Sequence, residues 1–237
     1  MSNLNIEEYL DNLSNNITSL ELPNNIIFSI PICLPDLSKF INLKMLFINN
    51  LNSGYITNLP INLVWLSCRN NNLTSLPKLP NTLKHLDCGN NKLQKLPELP
   101  NLDFLNCNNN LLTQLPILPN TLKMLYCGSN QIYQLPNLPT SLDMIRCYNN
   151  NLSNIPILPK SLKQLDCSEN NLPFENIYKW NIFNKFKKTF YTLKFGPKLE
   201  KYYIKKIRYK TINMDFLHIV YSPDYHFYKR FLEYLKI

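Results

Sequence analysis

LPKLPNTLKHLDCGNNKL, residues Leu76 to Leu93, is one copy of a phrase that recurs along the chain: Leu, two variable residues, Leu, one variable, Cys, two variable, Asn, one variable, Leu, then a proline-rich spacer. The cysteine position returns at Cys68, Cys88, Cys107, Cys127, Cys147 and Cys167, at steps of 20, 19, 20, 20 and 20 residues. Upstream the phrase continues in worn form. Leu43, Leu46 and Ile48 keep the spacing, with Leu51 where the asparagine falls and Ser53 where the last leucine falls. Ile17, Leu20, Leu22, Asn25 and Ile27 fit once more, followed by Ile30-Pro31. Leu22 and Ile48 are 26 residues apart, so one spacer is longer and has room for a helical turn. Eight units are expected from Ile17 to Pro173, about two thirds of the chain. A fixed period sustained over consecutive copies means a solenoid, because each unit buries its apolar side chains only against the next.

Each position has a physical reading. In Leu83-Lys84-His85-Leu86-Asp87-Cys88 a short strand turns Leu86 and Cys88 inward and His85 and Asp87 outward, by the period of two. Stacked units then form a parallel sheet. Asn71, Asn91, Asn110, Asn130, Asn150 and Asn170 fall where the chain leaves the strand, and an amide there can pair with backbone groups that the turn leaves without partners. Prolines such as Pro77, Pro80, Pro97 and Pro100 remove donors and fix φ, so the return path is expected to be extended and polyproline-like rather than helical.

The phrase resembles the leucine-rich repeat L-x-x-L-x-L-x-x-N-x-L. Its short Leu-Pro-x-Leu-Pro form, as in Leu96-Pro97-Glu98-Leu99-Pro100, is similar to the repeats of secreted bacterial effectors and of leucine-rich-repeat proteins encoded by giant amoebal viruses. The resemblance implies a horseshoe solenoid with its parallel sheet on the concave face. Related effectors often join their repeats to a ubiquitin-ligase domain with a catalytic cysteine. No cysteine follows Cys167 in this sequence, so that activity is not carried over.

A solenoid has two open ends. Residues 1–16 are read as an N-terminal helical cap: Asn5-Ile6-Glu7-Glu8 has the form of a capping box, and Ile6, Leu10 and Leu13 share one face of a helix expected over residues 6 to 13. Repeats occupy 17–174. Residues 175–237 are read as a small, mostly helical C-terminal cap, with Leu199, Tyr203 and Ile207 at helical spacing after Gly196-Pro197, and Phe227, Phe231 and Leu235 after Ser222-Pro223-Asp224. Composition shifts at that boundary. Residues 1–174 hold 11 Lys+Arg against 11 Asp+Glu, whereas residues 175–237 hold 14 against 5 together with 17 of the chain's aromatic residues.

Composition excludes several chemistries. Twenty-residue cysteine spacing offers no C-x-x-C pair, so no metal site is expected, and thiols in core-leucine positions behave as small hydrophobes. Cys33, in the long spacer, fits no position of the repeat. With four glycines there is no phosphate-binding loop, and no nucleophile accompanies His85, His218 or His226. We therefore expect no enzyme, no catalytic residue and no cofactor. The absence of a long apolar run or a signal peptide predicts an intracellular, cytoplasmic monomer without a membrane span.

What remains is the outward strand face. One row holds Met45, Trp65, His85, Phe104, Met124, Met144 and Gln164, the next Phe47, Ser67, Asp87, Asn106, Tyr126, Arg146 and Asp166, and beyond them lie Arg69, Asn108, Tyr148 and Ser168. An outward apolar and aromatic stripe beside a core already supplied by leucines points to a partner surface. Trp65, Ser67, Arg69, His85, Asp87, Phe104, Asn106, Met124, Tyr126, Met144, Arg146 and Tyr148 are the candidate protein-binding residues. The second reading is nucleic-acid or acidic-surface binding through residues 179–210, with a basic patch of Lys201, Lys205, Lys206, Arg208 and Lys210. No recognised nucleic-acid motif accompanies that charge, which ranks it below the first.

Overall fold

Alternation of period two emerges as strands of three residues. The structure, a computed structural model, describes residues 6–22, 32–34 and 36–172. Strands β1 (Ser19–Glu21), β3 (Met45–Phe47), β5 (Trp65–Ser67), β6 (His85–Asp87), β7 (Phe104–Asn106), β8 (Met124–Tyr126), β9 (Met144–Arg146) and β10 (Gln164–Asp166) lie side by side in that order as one parallel sheet. Their register is the register of the repeat, with Leu20, Leu46, Leu66, Leu86, Leu105, Leu125, Ile145 and Leu165 aligned as one column. The described residues form a parallel solenoid of about six regular turns, entered through the less regular rungs β1 and β3.

The core is continuous. Cys68, Cys88, Cys107, Cys127, Cys147 and Cys167 are all fully buried beside Leu63, Leu83, Leu102, Leu122 and Leu142. Burial pushes the Cys127 thiol up to about 12, and desolvation likewise raises the thiols of Cys68, Cys88, Cys107 and Cys147. They are protonated apolar fillers at neutral pH.

The asparagines form the expected ladder. Each Oδ1 accepts the backbone N–H of a residue in the preceding turn, as Asn110 does from Leu93 at 3.0 Å, while each Nδ2 donates to the cysteine carbonyls of two turns, for Asn110 those of Cys88 and Cys107 at 3.1 Å. Asn91, Asn130, Asn150 and Asn170 repeat this bridging with carbonyls of Cys68 to Cys167, and Asn71 takes Ile48 in place of the earlier cysteine.

The spacers between strands carry no helix among the described residues. From β3 onward each closes on a tight turn in which a proline carbonyl accepts the N–H of the leucine opening the next unit, as Pro80 does from Leu83 at 3.1 Å and Pro119 from Leu122 at 3.1 Å; before β3 the Phe40 carbonyl takes that place for Leu43. A hydroxyl one residue earlier ties that leucine to the turn before: Thr82 donates to the Leu63 carbonyl, Thr121 to Leu102, Ser141 to Leu122 and Ser161 to Leu142, each at 2.7 Å. The single 19-residue step lacks this hydroxyl, since Asn101 directly precedes Leu102.

The residue before each ladder asparagine is in the left-handed region: Asn70, Asn90, Asn109, Ser129, Asn149 and Glu169 have φ between 50° and 57°. Asparagine tolerates that region better than other non-glycine residues because its short amide satisfies the local backbone. Here the amides also stack, Asn90 donating to Asn70 at 2.6 Å and Asn70 to Asn50 at 2.8 Å. Ser129 and Glu169 are the two turns that depart from this choice. Ser129→Asn and Glu169→Asn are each expected to stabilise the fold by about 0.5–1 kcal/mol, part of the ~1–2 kcal/mol that left-handed backbone costs an ordinary residue. A urea titration that fails to move upward for both variants would show that the corner backbone carries no such strain.

Two expectations are corrected. The described part of the long spacer holds a strand rather than a helical turn, β2 (Ile32–Leu34), which pairs in parallel with β4 (Ser53–Ile56) as a small second sheet; residues 23–31 of that spacer lie outside the described residues. A run of Ile-Cys-Leu suits an extended backbone next to another chain segment, and Cys33 belongs to this strand. The N-terminal helix α1 spans Ile6–Asp11, shorter than 6 to 13, and keeps Ile6 and Leu10 buried while Leu13 lies half-buried beyond its end. Asn5 of the capping box lies outside the described residues, as does the whole C-terminal segment 175–237. Among the described residues no helix is long and apolar enough to cross a membrane.

Candidate functional site

Three-residue strands leave two outward side chains per rung, and the parallel register sets them in columns. On the open face these columns make a connected row of rings. Phe47 and Trp65 are 6.3 Å apart, centroid to centroid, and Trp65 stacks on His85 at 4.5 Å with the planes 10° apart. His85 follows to Phe104 at 6.3 Å, and Phe104 meets Tyr126 edge to face at 5.4 Å. The Arg146 guanidinium ends the row, 5.0 Å above the Tyr126 ring. The Tyr126 hydroxyl donates to the Met144 sulfur at 3.1 Å. Six rungs, β3 to β9 in the main sheet, are thereby linked through side chains that contribute nothing to the leucine core.

Neighbouring polar groups are largely satisfied within the face. Asp87 Oδ1 accepts the Gly89 N–H at 3.1 Å and Asn106 Nδ2 at 3.0 Å; Asn106 Oδ1 in turn accepts the Asn108 N–H at 3.1 Å, and Asn108 Oδ1 the Gly128 N–H at 2.6 Å. Asp166 holds the Ser168 hydroxyl at 2.7 Å. Gly128 has a second role: a Cβ there would come within 2.6 Å of the Tyr148 ring, so glycine lets that ring lie against the rung before it. His85 Nδ1 is buried without a hydrogen-bond partner among the described residues, its ring lying between those of Trp65 and Phe104.

Of the candidate residues, Trp65, His85, Phe104, Tyr126 and Arg146 are joined in the row, with Met144 held against Tyr126. Met124 precedes Met144 in the same column, between Phe104 and Met144. Asp87 and Asn106 form the polar strip beside it, Tyr148 lies against Gly128, and Arg69 is exposed after β5. Ser67 is corrected: it is 5% exposed and donates to Asn49 Oδ1 at 2.8 Å, because Asn49 reaches across from the preceding rung and also takes the Arg69 N–H at 2.9 Å. Lys201, Lys205, Lys206, Arg208 and Lys210 lie outside the described residues.

Strands, asparagine ladder and in-register column together define a leucine-rich-repeat protein with repeats of about 20 residues. Residues 61–101 match the family model described as leucine-rich repeats in two copies. In structure the chain is similar to YopM from Yersinia enterocolitica WA-314, at 31% identity and a TM-score of 0.58 over 68% of this chain and 39% of that one. It is also similar to YopM of Yersinia pestis, a leucine-rich effector protein, at 31% identity and a TM-score of 0.52 over 66% of this chain and 50% of that one. A leucine-rich-repeat protein of Leptospira interrogans shares the fold at 24% identity and a TM-score of 0.50, over 68% of this chain and 43% of that one. The chain thus spans half or less of the length of these three solved structures. No curated protein matches the sequence. Leucine-rich-repeat domains are typically protein-interaction scaffolds and generally non-catalytic.

Proposed function

We propose that the open strand face is a protein-docking surface and that the chain works as a non-catalytic scaffold. The observation carrying this reading is the row from Phe47 to Arg146, whose rings lie outside a core that is already closed by leucines and cysteines. Aromatic and arginine side chains concentrated at the centre of a rigid surface are the composition of binding hot spots. A sheet tied rung to rung presents them without reorganisation, which lowers the entropy lost on association.

Trp65→Ala combined with Tyr126→Ala is expected to lower capture of a partner from host-cell extract at least tenfold while thermal unfolding stays close to that of the parent chain. Trp65 is 38% exposed and Tyr126 half-buried, so their loss empties surface rather than core. Unaltered capture by the double variant would refute the reading.

A further inference from the structure

The charges of the open face are not equally committed. From β5 to β10 its carboxylates are engaged, Asp87 by Gly89 and Asn106 and Asp166 by Ser168. Its arginines are different. The ion pairs among the described residues are Lys39–Asp11 and Lys163–Asp143, and neither Arg69 nor Arg146 donates a side-chain hydrogen bond to a described residue. Both are exposed, and the guanidinium of Arg146 is steadied over Tyr126 with its fork of N–H donors uncommitted.

Arg69 follows β5 and Arg146 closes β9, with the rungs β6, β7 and β8 between them. Four strand steps of ~4.8 Å, with a two-residue offset along the strand, separate the two cations by about 20 Å, the span of about six residues of extended chain. The ring row fills that interval.

We propose that this face takes an extended acidic polypeptide segment running across the strands, with one carboxylate on Arg69, another on Arg146, and apolar side chains between them along the rings. The proposal rests on the reading of this face as a protein-docking surface and specifies what docks there. Bidentate carboxylate pairing uses the guanidinium geometry directly. A single-stranded nucleic acid fits less well. Trp65 and His85 stack on each other and Arg146 covers Tyr126, so one face of each of these three rings is already taken up. Such a strand carries a phosphate on every nucleotide, whereas a peptide can place its carboxylates at the two arginines alone and avoid Asp87 in the interval between them; the border of that interval, with Lys84 and Lys123 alternating with Asp103 and Asp143, favours neither.

The test is selection of random linear dodecapeptides displayed on phage against the full chain, with counter-selection on the Trp65→Ala/Tyr126→Ala chain. Enriched peptides are expected to carry two acidic residues five to seven positions apart around aromatic or aliphatic side chains. For a fluorescein-labelled peptide of that type, Arg146→Gln and Arg69→Gln should each weaken binding about tenfold in fluorescence polarisation, with part of the loss restored by lysine. Replacing the matching peptide glutamate by glutamine should remove the sensitivity to each arginine change. Both arginines are exposed, so thermal unfolding of the variants is expected to match the parent and to separate lost binding from lost folding. Neutral or basic peptides that ignore both arginines but need Trp65 and Tyr126 would overturn the acidic ligand and leave the docking surface standing. No enrichment over the counter-selected chain overturns the inference outright, while the docking reading keeps its own test in partner capture. Tighter binding of a labelled twelve-nucleotide oligouridine than of the acidic peptide overturns it in favour of nucleic acid.

Discussion

Raising the pH from 8 to 10 is expected to unfold the repeats. Desolvation holds the thiols of Cys68, Cys88, Cys107, Cys127 and Cys147 above their ordinary value of 9.0, and that of Cys127 as high as about 12. In the unfolded chain the same groups ionise near 9.0. Above that pH the unfolded state therefore binds fewer protons than the folded state, and stability falls as pH rises; below it both states are protonated and the contribution is intact. Each thiol removes about 1.4 kcal/mol per pH unit once past the unfolded value, so five together remove roughly 7 kcal/mol by about pH 10, comparable with the whole stability of an ordinary domain. Urea midpoints followed by circular dichroism under reducing conditions at pH 7, 8, 9 and 10 measure this directly. Lysine and tyrosine titrate in the same range, so the decisive comparison is a chain with Val at positions 88, 107 and 127, whose alkaline decline should be shallower by about three fifths of the thiol contribution. A midpoint that is flat from pH 8 to 10, or equally steep in the valine chain, would contradict the buried thiol column.

Asn110→Ala is expected to destabilise the solenoid by about 3–5 kcal/mol, more than a typical side-chain hydrogen bond, because of which groups it strands. The carbonyls of Cys88 and Cys107 each keep a second donor, Asn91 for one and Asn130 for the other. The Leu93 N–H has no such reserve: its bond to Asn110 Oδ1 is buried, and alanine leaves it unpaired inside the core. The site is also central in a structure where each turn is held chiefly by its neighbours. Weakening that joint is expected to separate unfolding of the turns before it from those after it, seen as a broader or two-step urea transition. Asn170→Ala, at a half-buried rung of the same ladder, serves as the comparison and should lose less with no change of shape. Equal losses at the two sites, or a loss below 1 kcal/mol at Asn110, would mean that the amides decorate the turns rather than join them.

The parts of the fold that repeat were legible because repetition averages out local ambiguity. A leucine or cysteine every twenty residues determines strand, register and core column, and the asparagine beside it has no other buried carbonyls to serve. The parts that were not legible are those that occur once. Ile32-Cys33-Leu34 reads equally well as a turn of helix or a strand until Ser53–Ile56 is known to run beside it. The left-handed corner could have been found in the recurring Asn-Asn pairs at 70–71, 90–91, 109–110 and 149–150, whose first member had no role in the core. On the open face, the outward positions followed from alternation, but their contacts did not. That Trp65 stacks on His85, or that Ser67 is covered by Asn49, depends on rotamers chosen between neighbouring rungs, which no single repeat encodes.

Since every ladder amide reaches beyond its own turn only to the one before, inserting or removing a whole unit disturbs one joint and leaves all other contacts of the same kind in place. Length is then a free variable of this architecture. Unequal recombination between near-identical segments of the coding DNA can stretch or shorten the protein without a new folding solution, and natural selection is left to act on the few exposed positions that each added copy carries.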